Sequence, residues 1–129
     1  MAGDTARRSI EANSVHHVNP IPTASRVGPL LISSIIPART PGQDDIPEDH
    51  AAQLANLFHH VGEMLEAGGA GWEHIAKMTF YVPDLKLRDA VNGPWVEHFP
   101  DADSRPARHT QLAAGGGNFI SCDFIAYVE

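Results

Sequence analysis

The sequence predicts an α+β fold, in which two helices pack on one face of a mixed β-sheet. Strand-like runs recur along the chain at 30–36, 77–82, 107–113 and 119–128, and all but the third are apolar and rich in β-forming residues. Two segments with apolar residues at helical spacing lie between the first three of these runs. The order strand, helix, strand, helix, strand, strand is typical of two β-α-β units with antiparallel pairing at the ends.

The first third of the chain alternates short extended segments with loops. Residues 8–12 are predicted to form a short strand, 15–22 a loop with two prolines and a histidine pair, and 26–29 a turn. The run 30–36 is apolar at nearly every position and is followed by Pro37. Such a run is typical of a strand that is covered on both faces.

The clearest helix follows a polar loop. Its apolar residues form one stripe at helical spacing, made of Leu54, Leu57, Phe58, Val61, Met64 and Leu65. Asp44 or Asp45 can cap the start of this helix. Glu48 and Asp49 suit the positive end of the helix dipole, and the pair Gly68-Gly69 ends the helix.

The second half of the chain predicts a strand at 77–82, a helix at 85–99 and the two last strands. Pro94 lies inside the predicted helix, so a kink or a break is expected near Gly93. The segment Gly115-Gly116-Gly117 is interpreted as a flexible hairpin connection. An anion held by its backbone N–H groups is the alternative.

With both helices on one face of the sheet, the other face has no cover. Strands such as 30–36 and 119–128 would then leave apolar side chains exposed. A large exposed apolar face marks an interaction surface, so the sequence predicts a homo-oligomer that buries this face between subunits.

Composition restricts the class of protein. The 129 residues suit one domain, 1–129, with residues 1–7 as a loose N-terminal segment. Hydrophobic residues make up 43% and charged residues 19%, which is typical of a globular chain. A formal charge of -7 argues against a nucleic-acid partner, because such surfaces are basic.

Cysteine and histidine usage gives no metal or redox motif. The single cysteine, Cys122, excludes an internal disulfide, and its apolar neighbours indicate an inert core thiol. The pairs His16-His17 and His59-His60 lack zinc-motif spacing, so no metal site is predicted. A cytoplasmic location is expected, and no run is long enough to span a membrane.

Two residues are the main candidates for chemistry. Arg108 can bind a carboxylate through its planar guanidinium, with an interface salt bridge, for example to Asp123, as the alternative. Asp123 alternates along its strand with Cys122 and Phe124 and should face away from both. His109 should point away from Arg108, toward the core or an interface, and is interpreted as a buried, hydrogen-bonded structural histidine. Arg105 is interpreted as solvated or as a support for the site.

Several motifs follow one another along about residues 8–128. They are Arg26-Val27-Gly28 with the run from Leu31 to Pro37, Gln53 to Gly69, Lys77 to Asp84, Val91-Asn92 through Phe99-Pro100, Arg105-Pro106-Ala107-Arg108, and Cys122 to Ala126. In order and spacing they resemble the motifs of the RidA/YjgF family of small enamine/imine deaminases. The Pro-Ala-Arg piece and the piece from Asn to Phe-Pro are the most specific of these.

The resemblance implies a chorismate-mutase-like fold, a homotrimer with three sites in the clefts between subunits, and neither metal nor organic cofactor. It also implies that Arg108 grips the carboxylate of the substrate. Asp123 takes the place of a family glutamate that helps to position the attacking water. The pair Ser33-Ser34 corresponds to a Ser-Gly pair that lines the pocket. The hydroxyls of Ser33 and Thr23 could bind a substrate amine or a water.

The chain departs from the family pattern around this pocket. Pro20-Ile21-Pro22-Thr23 stands where the deaminases have Pro-Tyr-Ser-Gln, so the pocket tyrosine is missing. Ser34 adds a side chain where the family has glycine, Asp123 is shorter than glutamate, and His109 replaces a small hydroxyl residue. The resemblance therefore implies that Arg108 still anchors a carboxylate, whereas the rest of the pocket differs from that of the family. It also implies a different substrate, such as a larger enamine from amino-acid or aromatic catabolism.

The functional hypothesis is hydrolytic deamination of a small carboxylate-bearing enamine or imine to a keto acid and ammonia. Such imines hydrolyse spontaneously, so positioning and modest acid–base help are enough. The alternative is a non-catalytic binder or sensor of small carboxylates or keto acids on the same fold. A ribonuclease activity, a label that the family sometimes carries, fits poorly with the acidic charge. A chorismate-mutase-type isomerase would rest on fold analogy alone.

Overall fold

A computed structural model describes residues 6–113 and 117–129 of the chain. The described strands are β1 (Arg8–Ile10), β2 (Ala24–Val27), β3 (Leu30–Ser33), β4 (Ile36–Pro37), β5 (Ile75–Val82), β6 (Ala107–Leu112) and β7 (Ser121–Tyr127). The two α-helices are α1 (His50–Ala67) and α2 (Arg88–His98). Two of the residues in the predicted glycine connection, Gly115 and Gly116, lie outside the described residues.

The strands form one mixed sheet in the order β1-β2-β3-β7-β5-β6, and β4 also pairs with β7. The pair β5–β6 is parallel, whereas β7 runs antiparallel to both β3 and β5. The segment β5-α2-β6 is therefore a β-α-β unit of adjacent strands. The segment β3-α1-β5 is a second unit in which β7 lies between the two parallel strands.

Side chains alternate across the sheet and separate two faces. Cys122, Phe124 and Ala126 of β7 are buried on the side that α1 and α2 cover, which we call the helix face. The intervening Asp123 and Ile125 point to the opposite side, the open face. Both helices thus lie on one face, as the sequence predicts.

The open face carries an apolar patch, which we call the open-face patch. It comprises Val27, Leu30, Ile32, Ile125 and Tyr127 from three adjacent strands, each between 38% and 51% exposed. Contiguous apolar surface of this kind marks an interaction site. Within this chain, the prediction that the run 30–36 is covered on both faces is wrong, because its outward residues are exposed.

The run 30–36 is also not one strand. It breaks at Ser34 and Ile35 into β3 and β4, which both pair with β7. At the break, the backbone N–H of Phe124 donates to Ser33 Oγ at 2.9 Å. A side-chain oxygen therefore replaces the carbonyl that a continuous strand would present to this buried donor.

The segment 26–29 is only partly the turn that the sequence predicts. β2 extends through Val27, which pairs with Leu30, and the turn is the two-residue connection Gly28-Pro29. Gly28 has φ +55°, a conformation that favours glycine. The prediction was wrong for 26–27, because the strand is short and its Ser-Arg centre shows no apolar alternation.

Helix α1 begins later than the predicted aspartate caps allow. Asp49 is the N-cap, and its Oδ2 accepts from the N–H of Ala52 at 3.1 Å, so neither Asp44 nor Asp45 caps the helix. The helix ends at Gly68, as predicted. The guanidinium of Arg26 donates to the carbonyl of Gly68 and thereby connects the β2–β3 hairpin to the end of α1.

Helix α2 follows a short 3-10 turn at Leu85–Leu87 and continues through Pro94 to His98. The predicted break near Gly93 is therefore absent. Pro94 removes the hydrogen-bond partner of the carbonyl four residues earlier, on Ala90. Ala90 is exposed, so water can satisfy that carbonyl without interrupting the helix. Neither helix of the described chain is long and apolar enough to cross a membrane.

A buried polar network attaches α1 to the loops before it. His60 is completely buried, and its ring nitrogens lie 2.7 Å from Ser14 Oγ and from the carbonyl oxygen of Arg39. A neutral imidazole satisfies both contacts, because Nε2–H donates to the carbonyl and Nδ1 accepts from the hydroxyl. Burial lowers the pKa of His60, because the protonated form is poorly solvated there.

We predict that the His60 network makes stability depend on pH. The unfolded chain takes up a proton at His60 below about pH 6.5, whereas the folded chain resists protonation, so the free energy of unfolding should decrease as pH falls below that value. His60→Gln should lose about 1–3 kcal/mol at pH 7.5, since Ser14 or the Arg39 carbonyl then lacks its partner. It should also lose part of the pH dependence.

Urea denaturation at several values between about pH 7.5 and 5.5 measures both effects. His59→Gln is the matched control, because His59 is the exposed neighbour of His60 on α1. An equal pH slope in wild type and His60→Gln would contradict the prediction.

Candidate functional site

Arg108 lies on the edge strand β6 and points to the helix face. Its Nη2 donates to Asn92 Oδ1 at 2.9 Å, and its guanidinium carbon lies 5.1 Å from the ring centroid of Trp95. Both partners belong to α2, one turn apart. The helix therefore holds the guanidinium at the rim of the sheet through a neutral amide and an aromatic face.

The charge of Arg108 is not neutralised by an ion pair within the described residues. Partial burial lowers the pKa of its guanidinium, and the nearby Asp89 carboxylate opposes this effect. Arginine nevertheless stays protonated in proteins at physiological pH. A partly buried cation with neutral partners can bind an anionic group of a ligand.

Aromatic packing fixes the position of α2 and hence of the Arg108 partners. Trp95 is buried and packs against Phe99 at 4.7 Å and against Phe80 of β5 at 6.4 Å between ring centroids. His98, at the end of α2, stacks on Phe58 of α1 at 4.6 Å. The support for Arg108 thus comes from the core rather than from a loop.

Asp123 projects from the central strand β7 onto the open face, as its alternation with Cys122 and Phe124 predicts. The phenol of Tyr81 donates to Asp123 Oδ2 at 2.8 Å. Burial raises the pKa of Tyr81 to about 12, and the hydrogen bond to Asp123 contributes in the same direction. The phenol is therefore protonated, and able to donate, across the physiological range.

Arg108 and Asp123 do not meet within one chain. Strand pairing places Arg108, Met78 and Phe124 in one row, and Met78 and Phe124 are buried on the helix face. The next row contains Asp123 and points to the open face. The sheet therefore separates the two side chains within a chain, and the alternative of an Arg108–Asp123 salt bridge at an interface stays a prediction.

The hydroxyls predicted to line the pocket all make hydrogen bonds to the backbone. Thr23 is fully buried; its Oγ1 donates to the carbonyl of Ile10 at 2.8 Å and accepts from the N–H of Ala12 at 3.0 Å. Ser34 Oγ donates to the carbonyl of Pro22 at 2.8 Å. Ser33 Oγ accepts from Phe124 N–H, as described above, and retains a hydroxyl proton to donate.

Three further residues were assigned roles from the sequence, namely His109, Arg105 and Cys122. His109 lies on the open face beside Thr79 and so points away from Arg108, as predicted. It is exposed within this chain and therefore not in its core, and burial at an interface stays a prediction. Arg105 is exposed, and its Nε donates to the carbonyl of Phe99 at 2.8 Å. Cys122 is fully buried, and burial raises the pKa of its thiol, which confirms an inert core thiol.

A cleft between α1 and α2 lies elsewhere. It has a volume of about 780 Å³, and none of the candidate site residues from the sequence lines it. In the part of the chain that the structure describes, no three His, Cys, Asp or Glu side chains are grouped so as to hold a metal ion.

Comparison with known proteins places the chain in a family. The family model described as endoribonuclease L-PSP matches residues 13–114. This chain belongs to the YjgF/RidA family. A curated RutC family protein of Aquifex aeolicus is 30% identical over 93 residues, which cover 72% of this chain and 74% of that protein.

Solved YjgF/RidA structures share the fold. The YjgF gene product of E. coli has a TM-score of 0.83 at 25% identity, covering 95% of this chain and 99% of its own. The Rid protein YyfA of Yersinia pestis has a TM-score of 0.86 at 22% identity. The match covers 95% of this chain and 100% of the YyfA chain. E. coli TdcF, crystallised with bound serine, has a TM-score of 0.84 at 21% identity. The match covers 95% of this chain and 99% of the TdcF chain.

The sequence did not predict two residues of this site, Asn92 and Tyr81. Asn92 belongs to a motif that was recognised, but its contact with Arg108 depends on how α2 docks on β6. Tyr81 shares a face with Asp123 only through the pairing of β5 with β7, in which Thr79 lies opposite Asp123. Alternation along β5 was the one available signal, since it places Tyr81 opposite to the buried Phe80 and Val82.

We predict that Ser33 contributes chiefly to stability. Ser33→Ala leaves the buried N–H of Phe124 without an acceptor and should lower the free energy of unfolding by about 1–3 kcal/mol. Ser34→Ala is the matched control and should cost less, because Ser34 is only partly buried and water can reach its partner. Chemical denaturation measures both variants, and equal losses would contradict the prediction.

Proposed function

We propose that this chain is a cofactor-free deaminase that hydrolyses a small carboxylate-bearing enamine or imine to a keto acid and ammonia. Arg108 binds the carboxylate of the substrate, and Asp123 positions the attacking water. The observation that carries the proposal is the state of Arg108, whose guanidinium is fixed by Asn92 and Trp95 without an ion-pair partner in the described chain.

The reaction needs little from the protein beyond orientation. The enamine tautomerises to the imine, and water adds to the C=N carbon to give a carbinolamine. The carbinolamine then expels ammonia and leaves a ketone. Asp123 can accept a proton from the attacking water and return it to the leaving nitrogen, a role that ordinarily contributes about 10²–10⁴-fold.

The two groups can act together only if different chains supply them, because they lie on opposite faces of one sheet. The open-face patch supports such an association, since a second copy can cover its exposed apolar residues. We therefore propose a homotrimer, as the family resemblance implies, with each site formed by Arg108 of one subunit and an Asp123 from another.

A known relative supports the type of ligand. The crystal structure of E. coli TdcF contains bound serine, a small molecule with both an amino group and a carboxylate. A substrate of comparable size and charge would fit a site anchored by Arg108. The partners that we propose are thus a small carboxylate and further copies of this chain, in the cytoplasm.

The ribonuclease activity in the printed family description has less support here. The formal charge of the chain is -7. A protein that binds an RNA backbone ordinarily presents a basic surface.

The non-catalytic alternative also has a specific observation in its favour. The hydroxyls of Thr23, Ser33 and Ser34 are all engaged with the backbone, so few polar groups remain to assist a reaction. A binder or sensor of small carboxylates would keep Arg108 and need no Asp123.

We predict that Arg108→Ala lowers kcat/KM for ammonia release by at least about 100-fold, because the carboxylate loses its charged partner. The assay uses a panel of freshly generated enamines, both small and aromatic-derived. Arg8→Ala, an exposed arginine of β1 at the opposite edge of the sheet from β6, is the matched control. Full activity in Arg108→Ala would overturn the proposal. Saturable binding of a keto acid without ammonia release from any enamine would favour the sensor.

We predict that Asn92→Asp raises KM by roughly tenfold, because a carboxylate beside Arg108 competes with that of the substrate. Asn92→Ala is the control. It removes the amide contact but adds no charge, so its KM should rise less. An Asn92→Asp enzyme with an unchanged KM would show that substrate does not bind at this guanidinium.

We predict that two strongly impaired variants complement each other. Trimers assembled from equal amounts of Arg108→Ala and Asp123→Ala chains should regain about a quarter of the wild-type activity, because random pairing gives that share of intact two-chain sites. Each variant alone, taken through the same unfolding and refolding, is the control. A mixture that stays inactive although the chains have exchanged would exclude a site shared between subunits.

A further inference from the structure

Tyr81 and Asp123 form a polar pair on the open face. Tyr81 comes from β5 and Asp123 from β7, and the two strands are hydrogen-bonded neighbours. The phenol oxygen lies 2.8 Å from Asp123 Oδ2. Both residues are partly buried within the chain, so they are held by the sheet and remain accessible from the open face.

The hydrogen bond to Tyr81 engages one carboxylate oxygen of Asp123 and leaves the other free. Oδ2 accepts the phenol proton, whereas no hydrogen bond of the described residues engages Oδ1. A carboxylate on a short side chain rotates freely unless a partner fixes it. With Oδ2 bound to a group on a rigid strand, Oδ1 is left free to accept a hydrogen bond from a water molecule.

We propose that Tyr81 is a positioning residue that orients Asp123, so that the free carboxylate oxygen holds the attacking water of the deamination. This inference rests on the function proposed above. Tyr81 itself touches neither the substrate nor the water. It acts through Asp123 and should therefore affect turnover rather than binding of the substrate carboxylate at Arg108.

A purely structural role for Tyr81 predicts a different effect of its substitution. The ring could serve only to fill space on the open face beside Thr79 and Ser121. Phenylalanine would then replace it without loss, since it keeps the ring and removes only the oxygen. The raised pKa of Tyr81, about 12, agrees with a phenol that stays protonated and donates throughout the working pH range.

The test compares steady-state kinetics of the wild type, Tyr81→Phe, Asp123→Ala and the double variant. We expect kcat of Tyr81→Phe to fall roughly tenfold, the ordinary effect of losing a hydrogen bond to a charged group, while KM stays within about twofold. In the Asp123→Ala background, Tyr81→Phe should have no further effect, because the group through which it acts is gone.

Ser14→Ala is the matched control. It also removes one hydroxyl from a buried hydrogen bond, the one to the His60 ring, but this bond joins the N-terminal loop to α1 and does not involve Asp123 or the open face. Its kcat should equal that of the wild type. A Tyr81→Phe enzyme with unchanged kcat, or an equal loss with and without Asp123, would overturn the positioning role while leaving the deaminase proposal intact.

A second measurement tests the contact without activity. The chain has two tyrosines, so Tyr127→Phe leaves Tyr81 as the only phenol that titrates by ultraviolet absorbance. Adding Asp123→Ala should lower the pKa of Tyr81 from about 12, while burial keeps it above 10. No shift would show that the pair is absent in solution and would also overturn the inference. If the wild type released no ammonia from any substrate, the proposed function and the inference would fail together.

Discussion

The position of β7 between β3 and β5 is the constraint on which the rest of the structure depends. One side of this strand supplies Cys122, Phe124 and Ala126 to the core, and the other side presents Asp123 and Ile125 on the open face. Both helices lie on the first side. Because neighbouring residues of a strand point in opposite directions, the same seven residues complete the core and supply the candidate catalytic carboxylate.

The elements with a strong local pattern were predictable from the sequence. Apolar patterns and helical spacing located α1, β5 and β7, and the order of strands and helices placed both helices on one face. The short strand β2 was missed, because its polar centre at Ser25 and Arg26 has no such pattern and pairing with β1 and β3 stabilises it. The break after Ser33 was missed for a similar reason. Its signal is a hydrogen bond to Phe124, 91 residues away along the chain.

The candidate site likewise has parts that the sequence could predict and parts that it could not. Arg108 and Asp123 were found because both stand in recognisable motifs, and alternation gave the correct direction of Asp123. Their separation by the sheet, and the partners Asn92 and Tyr81, could not be predicted. Each of these facts depends on strand register or helix docking, which brings together residues that are distant in the sequence. Family membership supplies the fold, whereas the roles of these side chains rest on their contacts.

The two-faced central strand has a consequence for how such a protein can evolve. Substitutions at the outward positions of β5 and β7 alter the chemistry of the open face but leave Phe80, Phe124 and the packing of the helices unchanged. Selection can therefore change what the open face binds at a small cost in foldability. The same arrangement imposes a limit, because an outward residue that also contacts another subunit cannot be exchanged without a matching change in that surface.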